Sequence, residues 1–315
     1  MVIVHNEFGR RITALGELPR SMQSGRGTSK GPRVGVPRRP VPLIHLVDTA
    51  TVARSGGGAM EFRILGALDI SADGSEIDLG GVTRRAVLGY LLLHDNQVVP
   101  TSRIRDALWH GDPPPTARKI VQNAVSAIRK VLAGHSATLL TQLPGYRLEV
   151  DPEVVDLHRF RKLTRLGRAE LDAGAPARGR LHLREAIGMW SGNALADLVE
   201  TGIAWSELTA IEDERLNAYE DCFDAELACG RHREITPELE LLTTTAPLRE
   251  SFHRQYMLAL YRSGRQADAL NVYHRSRSTL VDTLGIEPGH ELQRLHHLIL
   301  TQDSSLQPRV YRAPA

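Results

Sequence analysis

Seven polar side chains share one face of a predicted helix over residues 117–132, and none of them is acidic. At about 100° per residue they form one contiguous arc, and apolar residues fill the rest of the circumference. A solvated helix face usually carries Glu or Asp for pairing along the helix, so four cations with two amides and a hydroxyl form an uncommon surface. The face consists of Arg118, Lys119, Gln122, Asn123, Ser126, Arg129 and Lys130.

This face has the chemistry of a surface that enters the major groove of DNA. Arg and Lys pair with guanine or phosphate, and Gln or Asn pairs bidentately with adenine. We expect Lys119, Gln122, Asn123 and Ser126 to point at base edges, with the other cations and Thr116 beside them. A basic amphipathic helix also suits a protein or membrane surface, and the face alone does not decide between these alternatives.

Two β-rich segments flank the helical stretch that contains this face. The first is predicted as a strand over 61–70, a turn at Asp73-Gly74 and a returning strand over 75–79. The second is a hairpin over 138–150 with its turn at Pro144-Gly145.

Between these segments the pattern predicts three helices. Thr83 is expected to cap the first, over 84–96, and a Pro-Thr-Ser sequence introduces the second, over 103–109. A Gly/Pro breaker then separates the second helix from the third, which Thr116 is expected to cap. Strands, three helices and a hairpin in this order predict a winged helix-turn-helix.

Other cations of this domain are further candidates for DNA contact. Arg84 and Arg85 are expected at the start of the first helix, where the positive end of the helix dipole favours phosphate. Arg147, beside Tyr146, is expected to place the wing on the DNA backbone or in the minor groove. For each arginine, an ordinary surface role is the alternative.

The charge distribution supports a polyanion partner for the first half only. Residues 79–147 carry nine Lys and Arg against three Asp and Glu, whereas residues 151–315 carry 20 against 25. Residues 1–59 carry nine against three and have the composition of a disordered basic extension. Such an extension either has no role or adds phosphate contacts, and translation starting at Met60 is a third alternative.

Beyond Asp151 the sequence predicts helices throughout. Two similar segments place Gly230 and Gly264 34 residues apart, which is the tetratricopeptide period. The fold class is therefore mainly α with a small β component: a winged helix over 60–150, then an all-α tetratricopeptide-like domain over 151–303. A flexible tail is expected over 304–315.

The arrangement resembles the actinobacterial antibiotic regulatory protein (SARP) family, activators that join a response-regulator-type winged helix to a bacterial transcriptional activator domain. The resemblance covers about residues 60–300 and rests on four stretches. These are Phe62-Arg63-Ile64-Leu65-Gly66, residues 113–118 running to Ile128-Arg129-Lys130-Val131-Leu132, Pro144-Gly145-Tyr146-Arg147-Leu148, and residues 259–267 with Leu284-Gly285-Ile286-Glu287-Pro288-Gly289.

This resemblance implies an activator of secondary-metabolite (antibiotic) genes. It implies binding to direct repeats near the −35 region of double-stranded promoter DNA, recruitment of RNA polymerase holoenzyme, and a homodimer on DNA. Residues 122–128 depart from the aromatic residue and the Ser-Arg-Leu run that many members have here, so the base preference is expected to differ.

The sequence gives no support for catalysis, a metal or a cofactor. The spacing of His290, Glu291, His296 and His297 does not match a zinc-protease motif, and neither a nucleophile elbow nor a nucleotide-binding P-loop occurs. The two cysteines suit packing in a reduced compartment, and no apolar segment is long enough to span a membrane, so a cytoplasmic protein is expected.

Two other functions compete with transcription activation. The first is a protein-interaction adaptor, in which the helical repeats bind a partner and the winged helix no longer reads DNA. The second is a repressor that responds to a small molecule, which requires a ligand pocket in the helical half. Steep salt dependence of binding distinguishes a DNA-binding protein from the adaptor.

Overall fold

The first sheet stands at the start of the described chain. The computed structural model describes residues 60–109 and 111–307; the predicted disordered extension over 1–59 lies outside them. Strands β1 (Glu61–Arg63), β2 (Asp69–Ala72) and β3 (Ser75–Glu76) form an antiparallel sheet in the order β1-β2-β3. The predicted single strand over 61–70 is wrong, because the chain bends between β1 and β2 and pairs Phe62 with Ile70.

Three helices follow, as predicted; the first two begin two residues earlier than expected, and the third has the predicted bounds. They are α1 (Val82–Leu93), α2 (Thr101–Trp109) and α3 (Ala117–Leu132). The predicted Thr83 cap is wrong, since Gly81 is the N-cap residue and Thr83 lies inside α1. Thr116 does occupy the N-cap position of α3, but its hydroxyl forms no capping hydrogen bond.

A second antiparallel sheet forms the wing. Strands β5 (Thr138–Gln142) and β6 (Gly145–Glu149) form the predicted hairpin. A strand that the sequence did not predict, β4 (Val98–Pro100), pairs with β6 and gives the order β4-β6-β5. The sheet therefore attaches the wing to the segment that leads into α2.

The rest of the described chain is helical, as predicted. Its helices are α4 (Asp156–Asp172), α5 (Pro176–Gly188), α6 (Ala196–Val199), α7 (Ser206–Ala228), α8 (Thr236–Thr245), α9 (Glu250–Arg262), α10 (Gln266–Leu284) and α11 (His290–Leu300). Gly230 and Gly264, with φ of 76° and 79°, follow α7 and α9. The amide after each glycine donates to a carbonyl in the last turn of the helix, which ends both helices in the same way.

The hydrophobic core is continuous across the predicted domain boundary at residue 150. Phe62 of β1 forms a parallel bridge with Val155, and the amides of Ile64 and Leu65 donate to the carboxylate of Asp156 at 2.9–3.0 Å. Trp205 Nε1 donates to the carbonyl oxygen of Ala107 at 3.0 Å. The boundary at 150 stays a prediction, and it does not coincide with a break in packing.

Order extends beyond residue 303. Ser304–Leu306 form a short 3-10 turn, Leu306 is buried, and Arg262 Nε donates to the Leu306 carbonyl oxygen at 2.8 Å. The first residues of the predicted flexible tail are thus packed against α9, and residues 308–315 lie outside the described part. Within that part, no helix combines the length and hydropathy needed to cross a membrane.

Candidate nucleic-acid interface

The apolar face of α3 is buried as the sequence predicts. Val121, Val125 and Ile128 are at most 2% exposed and belong to the main hydrophobic cluster, together with residues of α1. Burial of this face fixes the rotation of α3 about its own axis, so the residues on the other side must point to solvent.

All seven polar residues of the predicted DNA-reading face of α3, hereafter the reading face, are exposed. They are Arg118, Lys119, Gln122, Asn123, Ser126, Arg129 and Lys130. Within residues 60–109 and 111–307, Arg118, Lys119 and Lys130 form no ion pair, and Gln122, Asn123 and Ser126 form no side-chain hydrogen bond. Unpaired cations and amides leave their donors and acceptors available to a ligand. Thr116, at the start of the helix, is also exposed, with an uncommitted hydroxyl.

Arg84 extends this cationic surface from α3 to the first turn of α1. A surface groove of about 400 Å³ lies between the two helices, with Arg84 on one side and Asn123, Ser126 and Lys130 on the other. Leu79 and the carboxylate of Asp78, which accepts a hydrogen bond from the Gly80 amide at 2.7 Å, also line the groove. The first turn of α1 carries no acidic side chain, so the partial positive charge of the helix end adds to that of Arg84 and Lys130.

Arg85 lies apart from this surface, in contrast to the prediction. Its Nε donates to Asp197 Oδ2 at 2.8 Å, and its Nη2 donates to the carbonyl oxygen of Leu68. The next position along a helix is rotated by about 100°, which turns Arg85 from the α3 side toward α6. Arg85 therefore joins the winged helix to the helical domain. Its assignment to DNA stays a prediction, which these contacts do not favour.

Tyr146 is also placed differently from the prediction. It is 9% exposed and belongs to the core cluster, because alternate residues of β6 face inward and Tyr146 shares that face with Leu148. Arg147 lies on the outer face, half-buried, with its Nε 3.5 Å from Glu149 Oε1. Of the two predicted wing residues, Arg147 alone faces outward.

Arg129 has a structural partner that the sequence did not reveal. Its Nε donates to the Leu139 carbonyl oxygen at 2.8 Å, and its Nη2 donates to Thr141 Oγ1 at 2.7 Å. These two bonds tie the reading helix to the first strand of the wing. No signal in a single sequence identifies such a pair, since a threonine on an exposed strand face is common.

The other reactive side chains do not converge on a second site. His296 stacks on Tyr273 with ring centroids 3.9 Å apart, and no cluster of three or more metal-ligating side chains occurs in the described residues. Burial raises the pKa of the Cys222 thiol to about 12, which makes it a poor nucleophile. Trp190 and Trp205 are buried, as expected of core residues.

Comparison with known proteins connects this arrangement to transcription. The family described as the bacterial transcriptional activator domain matches residues 155–300. The transcriptional regulatory protein EmbR of Mycobacterium tuberculosis is 36% identical over 261 residues, which are 82% of this chain and 66% of EmbR. The regulatory protein DnrI of Streptomyces peucetius is 32% identical over 265 residues, which are 81% of this chain and 97% of DnrI.

A solved structure is similar over the same region. The structure of Mycobacterium tuberculosis EmbR in complex with a low affinity phosphopeptide has a TM-score of 0.73 at 36% identity, covering 80% of this chain and 66% of that chain. This chain thus spans just under two thirds of the length of EmbR and nearly all of DnrI.

Proposed function

The chain belongs to the actinobacterial antibiotic regulatory protein (SARP) family of transcriptional regulators, and we propose that it is a sequence-specific, DNA-binding activator. The observation that carries this proposal is the exposed face of α3, where four cations, two amides and a hydroxyl stand together without an acid. The adjoining Arg84 groove and the wing held by Arg129 extend that face on two sides.

Within the face, the spacing of the residues assigns their roles. Lys119, Gln122, Asn123 and Ser126 follow one another at intervals of three, one and three residues, so they form a single stripe along α3. With that stripe toward the floor of the major groove, the amides pair with adenine and Lys119 with guanine. Arg118, Lys130 and Arg84 then lie at its edges, where phosphates run.

Family membership supports the rest of the proposal, which concerns the promoter site, the number of bound copies, RNA polymerase and the regulated genes. The winged helix binds direct repeats near the −35 region of promoters, and two copies bind side by side. The helical domain recruits RNA polymerase holoenzyme, and the regulated genes belong to secondary-metabolite (antibiotic) biosynthesis. The contacts of Asp156, Asp197 and Trp205 with the winged helix support this division, because they hold the helical domain at a fixed position beside bound DNA.

A DNA-binding series tests the proposal. The full chain is titrated onto fragments of the promoters nearest its own gene, from low to physiological salt, beside the double variant Lys119→Ala plus Gln122→Ala. We expect a saturable footprint that weakens steeply with salt and is abolished by the double change. Lys162→Ala, which removes an exposed lysine on α4, is the control and should bind as the unmodified chain does.

Failure of the series has a definite meaning. Absent or salt-insensitive binding to every fragment would contradict the proposal and favour the protein-interaction adaptor. A footprint that survives the double change would leave DNA binding in place and remove α3 as its reader.

A further inference from the structure

One apolar side chain stands almost fully in solvent at the tip of the wing. Leu143, between β5 and β6, is 93% exposed, whereas Leu181, the next most exposed large apolar residue of the described part, is 56% exposed. A single exposed leucine is common on protein surfaces and carries no inference by itself. The backbone that holds Leu143 and its position beside α3 are what distinguish it.

The residues on both sides of Leu143 are held by backbone pairing and by hydrogen bonds from Thr101. Gln142 pairs with Gly145 across the hairpin, and Pro100 of β4 pairs with Gly145 on the other edge. The amide and hydroxyl of Thr101 donate to the Pro144 carbonyl oxygen at 3.3 and 3.4 Å. Gly145 is packed so closely that a Cβ there would collide with the carbonyl group of Val99. The turn therefore presents Leu143 in one position.

That position is set relative to the reading face. Arg129 joins α3 to the wing through the carbonyl of Leu139 and the hydroxyl of Thr141, two residues before the turn. A protein that lays α3 in the major groove places a wing attached in this way over the neighbouring backbone and minor groove. The polar side chains of Thr141 and Gln142 beside Leu143 are exposed as well.

We propose that Leu143 is a DNA contact that enters the minor groove next to the base pairs read by α3. This inference rests on the DNA-binding role proposed above. The walls of the minor groove are the apolar faces of sugars, and leucine is among the residues that proteins insert there to widen the groove or open a base step. Because the backbone of the turn is already held, little backbone conformational entropy is lost when the side chain is buried.

Duplex DNA is the occupant that the charges favour. The surface next to the wing carries Arg118, Lys119 and Lys130 without carboxylate partners in the described residues. A protein partner would need acidic groups opposite these cations, whereas DNA supplies a phosphate in every nucleotide. The apolar tip and the cationic face then bind one ligand at two adjacent grooves.

The test compares Leu143→Ala with a matched change elsewhere. The full chain and its variants are titrated onto the fragment with the strongest footprint, and the complexes are mapped by hydroxyl-radical cleavage, which reports on the minor groove. We expect Leu143→Ala to bind about tenfold more weakly, as the loss of a buried isobutyl group implies. It should also lose protection on one side of the site while the α3 footprint remains. Leu181→Ala, on α5, and Leu143→Met should bind as the unmodified chain does.

The outcomes separate this inference from the proposed function. If the unmodified chain binds no fragment, the proposed function itself fails. If the unmodified chain binds and Leu143→Ala matches it in affinity and cleavage pattern, DNA binding stands and the role of Leu143 is overturned. A variant that binds DNA normally but no longer activates transcription with RNA polymerase would assign Leu143 to the polymerase and would also overturn the inference.

Discussion

Arg129 of α3 and Thr141 of β5 are joined by a hydrogen bond of 2.7 Å from Nη2 to Oγ1. The same guanidinium donates through Nε to the carbonyl oxygen of Leu139 at 2.8 Å. A planar guanidinium spans two acceptors at fixed angles, which the single ammonium group of lysine does not. This side chain thereby adds to the pairing of β4 with β6 in orienting the wing relative to α3, besides any phosphate contact it makes.

Arg129→Lys separates the orienting role from the phosphate contact, because it keeps the charge and loses the pair of hydrogen bonds to the wing. We expect affinity for the promoter fragment to fall about threefold to tenfold, the equivalent of one or two hydrogen bonds. The slope of affinity against salt should stay unchanged, since the number of cations is the same. Filter binding across a salt series measures both. Lys130→Arg, on an exposed cation without a partner in the described chain, is the control, and equal affinities for the two variants would contradict the wing-orienting role.

Arg84 and Arg85 are adjacent in sequence, but their substitution by alanine is predicted to affect different properties. Loss of Arg84 should change DNA binding, and loss of Arg85 should change stability. Arg84→Ala removes a cation from the groove beside α3, so the slope of log affinity against log salt should fall by about one. Arg85→Ala removes the partner of Asp197 and of the Leu68 carbonyl. It should leave that slope unchanged and lower the free energy of unfolding by about 1 kcal/mol, because both charged groups are partly exposed.

The same salt series and a urea titration decide this pair of predictions. A reduced salt slope for Arg85→Ala would show that the arginine leaves Asp197 to bind phosphate. An unchanged slope for Arg84→Ala would remove the α1 end of the groove from the interface.

Asp156 is predicted to make the stability of the fold depend on pH. Burial raises the pKa of its carboxyl group above the ordinary 3.8, although the amides of Ile64 and Leu65 donate to it and oppose the shift. A raised pKa in the folded state means that protonation favours folding. The contribution of Asp156 to the free energy of unfolding is therefore largest below the unfolded pKa and declines as pH rises through the folded pKa.

Comparison with Asp156→Asn isolates this effect from all other titrating groups. The stability of the unmodified chain, measured relative to Asp156→Asn by urea unfolding between about pH 3.5 and 7, should decrease as pH rises. A relative stability that increases with pH would mean that the amide bonds outweigh burial and that the pKa is lowered.

The amphipathic period explains why α3 could be predicted from the sequence while β4 and the partner of Arg85 could not. Sixteen residues of consistent pattern fixed both the helix and its buried face, and the structure confirms them. The strand β4 has three residues, and its existence depends on pairing with β6, where Val98 lies opposite Arg147. Asp197 is 112 residues from Arg85, so local pattern carries no information about that ion pair.

The inward orientation of Tyr146 is a different case, because the sequence carries a signal for it. In β6, Leu148 has the same strand parity as Tyr146, and an apolar residue two positions away indicates the inward face. Proximity to Arg147 suggested a shared role, whereas adjacent residues of a strand point to opposite faces.

The continuous core predicts that the two halves of the chain unfold together. Separation at residue 150 would leave the carboxylates of Asp156 and Asp197 and the indole of Trp205 without their partners just after β1, in α1 and in α2. It would also expose apolar residues such as Phe62, which is fully buried.

We expect residues 60–315 to unfold in one urea transition, with circular dichroism and tryptophan fluorescence giving the same midpoint. A fragment of residues 151–315 should unfold at lower urea and regain stability when residues 60–150 are added. A fragment as stable as the longer chain would mean that the interface contributes little to the free energy of unfolding. The helical domain would then be free to move relative to the winged helix.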